Sequence, residues 1–260
     1  MTALLAGRVV IVSGVGPGLG RDLVLACARE GARVVLVAHD GERLTAIERE
    51  ADDPSRTHCV AIAPDDSAEP ARIVAETLDR FGAIDGLVNN AATIPPLTNL
   101  ADAPTSDVAQ SLEANFYPAF HLTRAVVPTM RKQGRGSVVM INSAVVRHPK
   151  RDFGAYNVAK HALLGLTRSL AFELGPAGIR VNTLAPGKIG GARLSAYFEV
   201  RAHERGVSPA TVETEYANNI ALRRIPSSAE YADAAVFLLC DLSRSITGHL
   251  LDANGGEYFD

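Results

Sequence analysis

Short apolar runs rich in Val and Ile recur along the chain at 8–13 (RVVIVS), 33–38 (RVVLVA), 58–63 (HCVAIA), 84–89 (IDGLVN), 137–142 (SVVMIN) and 180–184 (RVNTL). They are apolar almost continuously rather than at alternate positions, as expected of parallel strands covered on both faces. The stretches between them have helical spacing. In 21–30 the positions Leu23, Ala26 and Cys27 line one face and Gly31 follows as a stop; Gly82 closes the third such stretch in the same way. This β-α-β-α rhythm predicts an α/β fold, a doubly wound parallel sheet of about seven strands with helices on both faces. No Ser/Gly/Pro linker or internal repeat divides it, so residues 1–260 read as one domain. The rhythm breaks at about 188–219, where Gly190, Gly191 and Gly206 mix with charges and with Tyr197, Phe198 and Tyr216. That segment reads as a small mobile cap before the last helix.

Composition mainly excludes. The chain is 47% hydrophobic and 21% charged over 260 residues, with a net charge of −3, so it has a core to bury and no basic field to hold nucleic acid. Its longest apolar runs, 34–38 and 234–240, fall far short of the roughly 18 residues that span a bilayer, and no membrane partner is expected. The N-terminus lacks the basic start of a signal peptide. Cys27, Cys59 and Cys240 form no CxxC, and the seven histidines show no metal spacing. Buried free thiols, no metal and a cytoplasmic location follow as expectations.

The first strand runs into Ser13-Gly14-Val15-Gly16-Pro17-Gly18-Leu19-Gly20. Strict GxGxxG fails at Leu19, and the Lys-Ser/Thr of a triphosphate-binding loop is missing. The spacing at Gly14, Gly18 and Gly20 is GxxxGxG. Glycines there let the backbone turn tightly and approach a diphosphate lying at the N-terminus of the following helix. A strand before it and a helix after it make this a dinucleotide site in a Rossmann-type sheet. At the end of the second strand, His39 and Asp40 supply no fixed positive charge for a 2′-phosphate, and Pro17 supplies none either. NAD is therefore expected ahead of NADP.

Further along, Ser143 ends a strand and Tyr156 and Lys160 stand four apart, on one face of a helix. An ammonium near a phenol favours the phenolate and makes tyrosine usable as a general acid/base near neutral pH. A serine hydroxyl at the strand's carboxyl end can hold a substrate oxygen as charge develops on it.

These motifs together resemble the short-chain dehydrogenase/reductase family over essentially the whole chain. The order is Gly14-x-x-x-Gly18-x-Gly20, Asp65 after the third strand, Asn89-Asn90-Ala91 after the fourth, Asn115, Ser143, Tyr156/Lys160 and Pro186-Gly187. Thr247-Gly248-His249 and Asn254-Gly255-Gly256 are similar to the family's closing strand and turn. The resemblance implies that Tyr156 exchanges the proton, Lys160 binds the nicotinamide ribose and tunes Tyr156, and Ser143 positions the substrate oxygen. It also implies that Asn115 holds a relay water, Asp65 and Asp66 face the adenine, Asn89 and Ala91 line the cofactor floor, and Ile189 meets the nicotinamide amide. Three positions depart from the pattern: Ser13 for threonine, Ala92 for glycine, and Gly190-Gly191 where a threonine usually contacts the cofactor.

The substrate pocket is expected between 144–152, 93–97 and the cap. Val145, Val146, Phe153, Ile94, Pro95, Pro96, Leu97, Leu194, Tyr197 and Phe198 would make it apolar, with Arg147, His148, Lys150 and Arg151 at its rim. That suits a hydrophobic secondary alcohol or ketone of alicyclic, terpenoid or steroid type. A carrier-bound 3-oxoacyl thioester is the alternative substrate, and a catalytically silent nucleotide sensor or scaffold the alternative of another class. The resemblance further implies a homotetramer built on the helices after Ala103 and Gly154.

Overall fold

The computed structural model describes residues 3–51, 53–63, 68–94 and 97–259. The chain begins β1 (Val9–Ser13), α1 (Leu19–Arg29), β2 (Arg33–Ala38), α2 (Gly41–Glu48), β3 (Thr57–Ala61), α3 (Glu69–Phe81) and β4 (Gly86–Asn89). It continues α4 (Thr105–Asn115), α5 (Tyr117–Gln133), β5 (Gly136–Ile141), α6 (Gly154–Leu174) and β6 (Ile179–Pro186). The last elements are α7 (Ala192–Arg205), α8 (Pro209–Asn218), α9 (Ser228–Leu239) and β7 (Leu250–Ala253). The strands form one seven-stranded sheet in the order β3-β2-β1-β4-β5-β6-β7, and every pairing is parallel.

Alternate residues of each strand enter different cores, which is why the runs are apolar throughout. Val10, Val12, Val34, Leu36, Val139 and Ile141 pack with α1 and α9 on one face. Ile11, Val35, Val37, Val138 and Met140 pack with α3, α5 and α6 on the other. The expected second strand matches β2 residue for residue. The third ends at Ala61 rather than 63, although the Ile62 N–H still bonds the Ala38 carbonyl at 2.9 Å. The sixth is longer than expected and stops at Pro186, which has no N–H to extend the ladder. Of the three thiols, Cys27 and Cys240 are buried as expected, whereas Cys59 on β3, near the sheet's edge, is only half-buried.

Chain order reverses between β1 and β4. The strands on either side are reached by connections running in opposite directions, and the carboxyl ends at such a switch point are where open α/β sheets bind ligands. Every catalytic residue expected from the sequence lies at that edge. The cap is two helices, α7 and α8, placed before α9. Phe198, Ala202 and Val212 form a small core of their own there, with Leu194, Tyr216 and Ile225 packed against it. Phe198 therefore holds the cap together and is not a pocket wall, because two short helices away from the sheet must bury something between themselves.

The far strand β7 is fastened by a side chain. Asn182, fully buried in β6, donates to the Ile246 carbonyl at 2.9 Å and accepts from the His249 N–H at 3.1 Å. Asn182→Ala strands both groups in a dry interior, and urea unfolding should show a loss of about 2–3 kcal/mol. A loss below about 0.5 kcal/mol, the range of neutral surface changes, would mean that water or backbone adjustment replaces the side chain.

Candidate active site

The glycine loop is shaped by close approach. A methyl group on Gly14 would stand 2.3 Å from the Ala91 backbone nitrogen, and one on Gly20 would stand 2.7 Å from the Gly14 carbonyl oxygen. Neither position admits a side chain. Gly18 shares the φ of +85° with Gly14 but differs in having open space where its side chain would be. It also sits at the N-cap of α1, which has no side-chain cap. An uncapped helix N-terminus facing open space has unsatisfied N–H groups and the positive end of the helix dipole to offer an anion. These residues fit the diphosphate of a dinucleotide. Pro17 is exposed beside them and Leu19 packs inward as the helix begins.

Asn90 was not singled out by the sequence reading, yet its side-chain amide donates to the Gly14 carbonyl at 2.7 Å and ties the β4 end to the loop. The doubled Asn after the fourth strand was the available signal. Asn89, by contrast, turns its amide into the core, toward Thr123 Oγ1 at 3.0 Å and Met140 Sδ at 3.2 Å. Its side chain braces β4 against α5. Ala91 lies half-buried against the loop.

At the end of β2 the exposed His39 has Nδ1 3.1 Å from the Ile62 carbonyl. Nδ1 therefore donates to that carbonyl, which leaves Nε2 outside the contact. Asp40 is the N-cap of α2: it accepts from the Arg43 N–H at 3.0 Å and pairs with the Arg43 guanidinium at 3.1 Å. Arg43 is thus a cation at the ribose end that the sequence reading did not weigh. Asp65 and Asp66 lie outside the described residues, as do Pro95 and Pro96.

The reacting groups converge where β5 meets α6. Ser143 opens a short turn after β5, and its hydroxyl accepts from the Val145 N–H at 3.3 Å. Tyr156 is 8% exposed, with Phe153 edge-on to its ring at 6.3 Å. Burial pushes the Tyr156 phenol above its ordinary value, opposed by a hydrogen bond with Ser143 and by the charge of Arg193 in the first turn of α7. Lys160 was expected to be the group that lowers it. In the structure the Lys160 ammonium lies 5.5 Å from the Tyr156 ring centroid and donates to the Ile141 carbonyl at 3.0 Å. It lies over the ring face, and the groups that oppose burial at the phenol are Ser143 and Arg193.

Lys160 is fully buried with no carboxylate beside it among the described residues, and burial lowers its ammonium to about 8. Asn142 completes the junction: its amide donates to the Lys160 backbone carbonyl at 3.0 Å and its oxygen accepts from the Ser143 N–H at 2.9 Å. Asn115, at the end of α4, spends its side chain on the loop after β4. It accepts from the Thr93 N–H at 3.0 Å and donates to the Thr93 carbonyl at 2.9 Å and the Ser111 carbonyl at 2.9 Å.

Pro186 and Gly187 end β6 beside the closing turn, where the Gly187 N–H bonds the Ala253 carbonyl at 3.2 Å. Ile189 is half-buried against the main core. Between them Lys188 pairs with Glu257, and its carbonyl accepts from the Tyr231 hydroxyl at 2.9 Å. Of the expected rim, Arg147 pairs with Asp252 at 2.9 Å and His148 stacks on Tyr258 at 4.8 Å. No cluster of metal-ligating side chains occurs, and no helix is long and apolar enough to cross a membrane, among the described residues.

A buried ammonium of this kind opposes folding while it is charged. The unfolded lysine holds its proton to a higher pH than the folded one, so the native state gains relative stability as pH rises from about 8 toward 10.5. Lys160→Met should therefore be more stable than the parent at pH 7, by on the order of 2–3 kcal/mol. The advantage should shrink across that window when unfolding is followed in urea. A variant less stable than the parent at pH 7 would show that the Ile141 hydrogen bond outweighs desolvation.

Comparison with known proteins agrees with this geometry. The family profile described as enoyl-(acyl carrier protein) reductase matches residues 14–257. Dehydrogenase/reductase SDR family member 4 of Oryctolagus cuniculus is 34% identical over 256 residues, covering 97% of this chain and 94% of that protein. Oxidoreductase UcpA of Salmonella typhimurium is 34% identical over 260 residues, covering 97% and 95%. The crystal structure of NAD+-bound xylitol dehydrogenase superposes with a TM-score of 0.87 at 28% identity, covering 97% of this chain and 99% of that one. The chain belongs to the short-chain dehydrogenase/reductase family, oxidoreductases that use NAD or NADP.

Proposed function

We propose that this protein interconverts a hydrophobic secondary alcohol and its ketone, with Tyr156 as the general acid/base and NAD as the cofactor. The observation that carries the reading is the meeting of Tyr156, Ser143 and Lys160 at the carboxyl edge of β5, beside an uncapped glycine-loop helix. When bound, the nicotinamide supplies or accepts the hydride. The chain's own residues do the rest. Ser143 hydrogen-bonds the substrate oxygen, and Tyr156 gives or takes the proton at that atom. Lys160 fixes the nicotinamide ribose. Asn115 holds the loop that borders the substrate. Ile94, Leu97 and Tyr197, all partly exposed, present an apolar surface around the entrance.

NAD is favoured because His39 supplies no fixed positive charge for a 2′-phosphate and Arg43 is already paired with Asp40; NAD is also what the similar xylitol dehydrogenase structure holds. A 3-oxoacyl thioester on an acidic carrier is less favoured, since Arg147 and His148 are already engaged by Asp252 and Tyr258. A silent sensor is less favoured because the reacting groups are present and assembled. We further propose a single dinucleotide-binding and catalytic domain, with its cap at 188–219. The proposed setting is cytoplasmic, in keeping with three free thiols. The proposed assembly is a homotetramer, in keeping with the Phe172 ring left 87% exposed on α6.

Two substitutions test the reading. Tyr156→Phe should lower turnover on cyclic secondary alcohols, followed at the NADH absorbance, by about 10³-fold while leaving NADH affinity nearly intact. Near-normal turnover would remove Tyr156 from the mechanism. His39→Arg should shift the kcat/KM ratio toward NADP, and an unchanged ratio would show that the ribose end is read elsewhere, with Arg43 the first residue to examine.

A further inference from the structure

The opposite edge of the sheet, where the strands begin, holds a cavity of about 370 Å³ that the proposed chemistry does not use. It lies below the amino ends of β1, β4, β5 and β6 and is roofed by the turn after α9. Four arginines line it, Arg8, Arg135, Arg180 and Arg244, against two carboxylates, Asp85 and Asp241. The carboxylates are committed. Asp85, buried, takes the Val9 N–H at 3.0 Å, Arg135 Nε at 2.8 Å and the Arg8 guanidinium at 3.7 Å. Asp241 pairs with the other side of Arg8 at 3.1 Å.

Two cations are left over. Arg180, half-buried, hydrogen-bonds only carbonyls among the described residues, Leu239 at 3.3 Å, Cys240 at 3.2 Å and Ile246 at 3.4 Å, and feels the charge of Asp241 without pairing with it. Two of these belong to the carboxyl end of α9, so Arg180 caps that helix. Such long hydrogen bonds to neutral acceptors offset only part of a guanidinium's charge. Arg244 is exposed and has no carboxylate partner among the described residues. Thr247, on the rim, accepts the Val181 N–H at 3.1 Å with its hydroxyl oxygen and keeps its own O–H to donate. Forked donors and a hydroxyl converging on one cavity are the complement of phosphate oxygens.

We propose that this cavity is a second ligand site, separate from the carboxyl-edge site, and that it takes a compact phosphate-bearing anion of at least two charges between Arg8, Arg180 and Arg244. Sodium pyrophosphate, titrated calorimetrically into the intact protein at fixed low ionic strength, tests it. With the glycine-loop site filled by saturating NADH, the expected result is one saturable event. Arg244→Gln, which removes an exposed and unpaired side chain, should weaken binding about tenfold or more. Asp241→Asn should tighten it several-fold, because it removes a competing charge and releases Arg8; a general loss of structure would not produce that gain. No binding by the parent protein would overturn the proposal. So would binding that neither substitution changes, or that saturating NADH abolishes completely, because the ion would then occupy only the glycine loop.

Discussion

One buried hydrogen bond, from the Lys160 ammonium to the Ile141 carbonyl, joins the scaffold to the chemistry. It fastens α6 to the last residue of β5, and Asn142 fastens the same turn from the other side through the Lys160 carbonyl and the Ser143 N–H. Ser143 and Tyr156 face each other because these two elements cannot slide. The arrangement is costly: a charged group sits in the interior with one neutral acceptor, and its ammonium is held well below the ordinary lysine range. A sheet buried on both faces by two cores is what can carry such a group without yielding.

A second constraint acts at the switch point between β1 and β4. The glycine loop and the turn after β4 approach so closely that Gly14 has no room for a side chain, and Asn90 locks the contact. The loop is thereby held with the first turn of α1 open to an anion. Hydrophobic burial, backbone approach and one buried cation place the dinucleotide loop and the catalytic residues along one edge. The cap, with its own small core of Phe198, Ala202 and Val212, stands beside that edge.

The sheet was legible in the sequence because a strand buried on both faces announces itself by unbroken apolar character, as in β2. The catalytic residues were legible because their spacing is local, with Tyr156 and Lys160 one helical turn apart. Side-chain direction was not. Asn89 and Asn90 are adjacent in the same motif, yet one braces the core and the other grips a loop 76 positions away. Phe198 read as pocket lining because apolar spacing reports burial without naming the partner. Where the long Lys160 side chain finds its acceptor, the Ile141 carbonyl, is likewise not written in the spacing. Arg43 escaped notice because its pairing with Asp40 is a capping interaction visible only once α2 begins at Gly41.

Proton transfer by Tyr156 requires that its phenol face the nicotinamide. Carbon-13 labelling of the tyrosine rings, with the Tyr156 signal assigned from Tyr156→Phe, allows its titration to be followed directly by NMR. In the protein alone the phenol should titrate above the ordinary tyrosine range, because burial dominates. Saturation with NAD+ brings a positive ring to the site and should lower that titration by at least about one unit. An unchanged titration on saturation with NAD+ would place Tyr156 away from the reacting atoms and contradict the proposed chemistry.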